Sequence, residues 1–176
     1  GTNVVGVDIA ADEAGFSIDK HIKAFEFAHA HRLNITAHAG EAKGAESVWE
    51  TLEHFRPQRI GHGVRSIEDP KLLTVLKENN IHLEVCPTSN IQTNVVDQMS
   101  DHPADKIFLA DISIGINTDA RAISNTTLTE EYQTLNHHFN WQLDHFKKCN
   151  LEAIEHAFAD EASKQALKAL IMNAYT

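Results

Sequence analysis

Buried-strand patterns and amphipathic helical patterns alternate along most of this chain, and that alternation narrows the fold more than any other feature. "NVVGVDIA" (Asn3–Ala10) is β-branched and apolar, the pattern of a strand buried in a parallel sheet. "SIDKHIKAFEFAHAHRL" follows, with Ser17 or Asp19 placed to cap a helix and Ile22, Phe25 and His29 at helical spacing. Next come strand "NITAH", helix "AESVWETLEHF" with Val48, Leu52 and Phe55 inward, and strand "RIGHG". Helix "PKLLTVLKENN", opened by Pro70, leads to strand "IHLEVCP". A longer loop then precedes "DISIGINTD" (Asp111–Asp119), another buried strand. From Leu128 the pattern is helical to the end, broken near Asn140, Asn150 and Asp160. Strands recurring at roughly 20–30 residues belong to a β/α barrel or a doubly wound sheet.

The polar residues separate those two folds. Each strand ends, on its C-terminal side, in a group able to do chemistry: Asp8, His38 with Glu41, His62, Cys86 with Ser89, and Asp119. No glycine-rich dinucleotide or phosphate loop accompanies them. Reactive groups from many successive strands meet at one mouth only when the sheet curls into a barrel. A complete eight-stranded barrel takes about 250 residues and rarely fewer than 200, whereas this chain has 176. It therefore reads as one partial α/β domain over residues 1–176. The expectation is about five parallel strands of a TIM-type β/α barrel, with closing C-terminal helices.

Composition removes several function classes. Fifteen Lys and Arg against 25 Asp and Glu give a formal charge of −10, which argues against a nucleic-acid surface or an anionic membrane patch. No run reaches the roughly 18 apolar residues of a membrane span, and the start lacks the layout of a signal peptide. Cys86 and Cys149 form neither a disulfide framework nor a CxxC pair, which suits a reducing cytoplasm. Twelve histidines are the oddity. Most of them read as surface or helix residues, so ligation has to be argued position by position.

In "HAGE", His38 and Glu41 lie three residues apart on the turn leaving a strand, and Ala39 and Gly40 leave room beside them. A neutral imidazole ligates zinc well, and a carboxyl beside a metal pocket can be tuned as a proton donor. A solvated polar strand end is the rival reading. In "RIGHG", His62 sits between two glycines, which suits an imidazole aimed at a reacting centre or a structural histidine. "INTDA" buries Asp119 at a strand end, where a metal or a capped turn would offset the cost of the charge. "HAH" (His29–His31) falls in a helical pattern, where residues two apart face different ways, so it is rejected as a metal pair. His137 and His138 read as surface, and Cys86 as core.

Taken in order, "VDIAADE", "TAHAGE", "RIGHG", "CPTSN" and "INTD" resemble the adenosine deaminase family of the amidohydrolase superfamily. The resemblance implies the C-terminal part of a zinc-dependent β/α barrel, from its fourth strand onward, with a purine nucleoside as substrate. It implies His38 and Asp119 as zinc ligands, Glu41 as the donor of a proton to purine N1, and His62 as the residue orienting the attacking hydroxide. The activity implied is hydrolytic deamination of adenosine or 2′-deoxyadenosine. Deamination of adenine or another 6-aminopurine nucleoside is the alternative, and a barrel fragment that only binds a purine or a partner is a third. Three departures stand out. No strand carries the family's HxH zinc pair, which implies a partner in the missing N-terminal part of the barrel. Ala11 replaces the glycine whose N–H contacts the purine; as a substrate-binding residue an alanine can still donate that N–H, but not if the site requires positive φ. Ala120 replaces the aspartate that meets purine N7.

Overall fold

A computed structural model describes residues 3–175; the extremes of the 1–176 domain assignment lie outside them. Among the described residues, five parallel strands form one sheet in sequence order: β1 (Gly6–Val7), β2 (Asn34–Ala39), β3 (Arg59–His62), β4 (His82–Val85) and β5 (Ile114–Ile116). Helices α1 (Ile22–Ala30), α2 (Ala45–Phe55) and α3 (Pro70–Glu78) join the first four strands. This is the expected five-stranded portion of a TIM-type barrel. Asp69 accepts the Lys71 N–H ahead of Pro70, so α3 starts with a side-chain cap and a proline that needs no donor.

Register decides which side chains share a face. Thr36 pairs with Arg59 and Arg59 with His82, while His38 pairs with Gly61 and Gly61 with Glu84. Those residues line one polar face, where Arg59 Nε lies 2.9 Å from Glu84 Oε1 and the Thr36 hydroxyl donates to Glu84 at 3.1 Å. The alternate residues Ile60, Leu83, Val85, Ile114 and Ile116 are buried against the helices in the main core. Phe25, Ala28, Ile35, Ala37 and Phe55 make a second cluster under α1.

The structure corrects four local expectations. The first strand is shorter and less buried than its composition implies. Of this stretch Gly6 and Val7 are extended in the sheet, and Val4 and Val5 are exposed, because among the described residues β1 has a strand partner on one side only. Ser17 caps a 3-10 turn (Ile18–His21) that precedes α1, not the helix itself. The loop after β4 contains two helices, α4 (Pro87–Gln92) and α5 (Ala104–Leu109), each too short to display a hydrophobic period. After α6 (Arg121–Ser124), the C-terminal helices are α7 (Leu128–Phe139), α8 (Leu143–Glu155) and α9 (Glu161–Ala174). Asn140 and Asp160 mark breaks as expected, but Asn150 lies inside α8. Its amide accepts from Tyr132 Oη and donates to Tyr175 Oη, both at 2.9 Å, so it links helices instead of ending one.

Candidate active site

Sharp turns at the strand ends deliver the site. β2 ends at Ala39 and the backbone reverses at Gly40, whose φ is +69°. A Cβ there would sit 2.6 Å from Val48 Cγ2, so the turn to Glu41 requires glycine on two counts. β3 ends on His62 at φ +60°, and Asp119 follows β5 at φ +55°. Non-glycine residues seldom adopt this conformation, which costs on the order of 1–3 kcal/mol where the surroundings impose it. Both turns use it to aim a polar side chain.

The four strand-end groups meet. The rings of His38 and His62 are 5.2 Å apart, and His62 Nε2 stands 3.4 Å from Glu41 Oε2 and 4.0 Å from Asp119 Oδ2. The His62 side chain is 2% exposed, whereas those of His38 and Asp119 reach the opening at 28% and 36%. Burial holds the His62 pKa below the ordinary histidine value against the pull of Glu41. Asp8, 3.9 Å from His38 Nδ1, holds the His38 pKa above it against burial. Ala11 shares a cavity of about 250 Å³ with His38, and its φ is +101°. Ala120 directly precedes α6 beside Asp119.

Several supporting residues carried no assigned role in the sequence. Glu13 accepts the backbone N–H groups of Gly40, Glu41, Ala42 and Lys43 at 2.7–3.2 Å and the Ser47 hydroxyl at 2.5 Å, clamping the turn that carries Glu41. Thr93 Oγ1 donates to Glu41 Oε1 at 3.0 Å, and Ser89 Oγ donates to Asp119 Oδ2 at 2.7 Å. Asn90, fully buried, lies 3.0 Å from His62 Nδ1. Glu13, Ser89 and Asn90 fall within "VDIAADE" and "CPTSN", so the motifs contained them without indicating what they touch.

The rejected groups stay apart. His29 Nε2 lies 2.8 Å from Phe55 O, and His31 Nδ1 lies 2.8 Å from Phe27 O, so both rings bond to carbonyls. His137 and His138 are exposed on α7. The Cys86 thiol is buried and its pKa is pushed up by that burial, which makes it unreactive.

The donors of His38 and Asp119 suit zinc by type, an imidazole and a carboxylate, and His38 Nδ1, which faces Asp8 at 3.9 Å, makes no hydrogen bond among the described residues. Their number falls short. Among the described residues no three His, Cys, Asp or Glu side chains are grouped to hold a metal, and a catalytic zinc usually takes three protein ligands.

Comparison with known proteins agrees with this architecture. A sequence profile for the family described as Adenosine deaminase matches residues 1–174. The chain is 37% identical over 166 residues to the adenosine deaminase of Vibrio parahaemolyticus, covering 94% of this chain and 50% of that one. It is 39% identical over 171 residues to the adenine deaminase of Mesorhizobium japonicum, covering 97% and 53%. Among solved structures, an amidohydrolase from Burkholderia ambifaria with bound Zn aligns with TM-score 0.90 at 25% identity, over 99% of this chain and 49% of that one. Arabidopsis ADAL complexed with IMP aligns with TM-score 0.87 at 26% identity, over 97% and 49%. The chain spans about half the length of the curated relatives it matches. With its sequence matched from residue 1 to residue 174, it belongs to the adenosine deaminase family.

Proposed function

We propose that the protein containing this chain removes the 6-amino group of adenosine or 2′-deoxyadenosine by hydrolysis, giving inosine or 2′-deoxyinosine and ammonia. The observation that carries the proposal is the meeting of His38, Glu41, His62 and Asp119 at the C-terminal ends of β2, β3 and β5 of one parallel sheet, where barrel enzymes keep their chemistry. The ring must accept a proton at N1 before C6 becomes electrophilic. Glu41 is suited to supply it, with Oε1 held by Thr93 and its carboxyl side chain 17% exposed. His62 faces the same space and steadies the negative oxygen that adds to C6. His38 and Asp119 would hold zinc together with ligands from elsewhere, in keeping with the Zn-bound relative. Zinc, when bound, makes hydroxide available near neutral pH. The ligands still needed are assigned to the HxH strand of the barrel's N-terminal part. Unpaired, buried Cys86 and Cys149 favour a cytoplasmic setting.

Adenine or another 6-aminopurine is the second substrate reading, favoured by Ala120 and by the similarity to an adenine deaminase. Turnover of adenosine, 2′-deoxyadenosine and adenine by the full-length protein separates the two. A protein that only binds purines predicts no turnover of any. In the full-length protein, Glu41→Gln is expected to retain zinc while losing about 10²–10⁴-fold in turnover, the usual contribution of a general acid. Asp119→Ala is expected to lose zinc as well. Metal content and rate measured on both variants test this division, and equal zinc loss in the two would overturn it.

A further inference from the structure

His102 lies in no motif, yet its side chain is buried behind the site. Its Nδ1 accepts the backbone N–H of Ala104 at 3.1 Å. A backbone amide can only donate, so Nδ1 carries no proton and the ring holds its single hydrogen on Nε2. That nitrogen faces Asn90 Oδ1 at 3.1 Å. The amide of Asn90 is therefore oriented with oxygen towards His102 and nitrogen towards the site. The reversed amide would set two donors against each other on one side and place its oxygen against the Glu41 carboxylate on the other. The two Nδ2 hydrogens have two acceptors available, Glu41 Oε1 at 3.4 Å and His62 Nδ1 at 3.0 Å. To accept, His62 Nδ1 must also be bare. Its hydrogen is then on Nε2, the nitrogen facing Glu41 Oε2 and Asp119 Oδ2.

We infer that the Ala104 amide, acting through His102 and Asn90, sets the tautomer of His62, so that His62 offers the site an N–H donor and not a lone pair. His102 and Asn90 are thus positioning residues. Asn90 is 0% exposed and His102 1%, so no water competes for these bonds and the order of donors and acceptors is enforced from the α5 end inward. The chemical consequence rests on the functional reading above. A donor at Nε2 can stabilise negative charge on an oxygen attacking C6, but it cannot take a proton from water. The tautomer itself does not depend on that reading.

The test uses the chain with 15N-labelled histidine, at a mildly alkaline pH. Long-range proton–nitrogen correlation spectra distinguish bare from protonated ring nitrogens, with His62→Gln and His102→Gln identifying the signals. Both rings are expected to show a bare Nδ1 and a protonated Nε2. In Asn90→Asp the donor facing His62 becomes an acceptor, and His62 Nδ1 is expected to gain a proton. A protonated or tautomerically averaged Nδ1 in unaltered His62 overturns the inference, as does an Nδ1 that stays bare in a folded Asn90→Asp. The unaltered chain decides the first point without any variant having to fold. None of these signals reads deaminase activity, so failure of the relay and failure of the proposed reaction are told apart.

Discussion

Ala11 shows how one methyl group bears on both fold and site. Its φ of +101° lies where an L side chain is strained, and it lines the cavity beside His38. The sequence shows an alanine in place of glycine; the positive φ that strains it is visible only in the folded backbone. Ala11→Gly removes the Cβ from that conformation. It should raise stability by about 1 kcal/mol, less whatever glycine gains in unfolded-chain freedom. Chemical denaturation of the two proteins checks this, and an equal or lower midpoint in the glycine variant would mean the strain is absorbed elsewhere. His62 and Asp119 share the left-handed backbone, but each brings a functional group with it, so a glycine at either position would relieve the turn and empty the site.

At the scale of elements, Glu13 ties the segment after β1 to the turn between β2 and α2. Burial alone would raise its pKa, but the Ser47 hydroxyl and the N–H groups of Gly40, Lys43 and Glu41 outweigh it, so the value is lowered. A carboxyl depressed on folding adds stability above its unfolded pKa of about 4.3, and that stability is lost as pH falls through the lower folded value. Glu13→Gln should therefore cost about 1–3 kcal/mol near neutral pH, the usual loss for a charged acceptor of several partly buried donors. The gap from the unaltered protein should narrow as pH drops below the ordinary carboxylate range. Unfolding curves across that range check the prediction, and a gap independent of pH would exclude the ionised carboxylate as its cause. The same link explains why "HAGE" was legible as chemistry but not as structure. The clamp that shapes it comes from 27 or more residues earlier in the chain.

At the scale of the whole molecule, the sheet formed by the described residues is open. β1 and β5 are its outer strands, and Val4 and Val5 are exposed next to β1, a surface open to further strand pairing. Below the site, Phe158 packs against Gly6 and beneath the Arg59 guanidinium, 4.1 Å from ring centre to cation, and the stacked rings of His82 and His156 lie 4.8 Å apart. The chain after α8 thus covers part of the polar face. With His38 and Asp119 as its ligand donors, the chain alone is expected to bind zinc weakly and to leave adenosine unchanged, and adding the N-terminal part of the barrel should improve both. Zinc stoichiometry and adenosine absorbance measure this; tight stoichiometric zinc and activity in the chain alone would refute it. The amino-acid sequence by itself determined the strand–helix alternation, the parallel α/β class and the order of the strand-end groups, because hydrophobic period and turn residues act over short stretches. Only the tertiary structure decided that Glu13 clamps the turn, that Asn90 and His102 stand behind His62, and that Asn150 joins helices instead of ending one. Those contacts join residues distant in sequence or lying in segments too short to show a period, and a buried polar group takes its meaning from whichever partner folding brings to it.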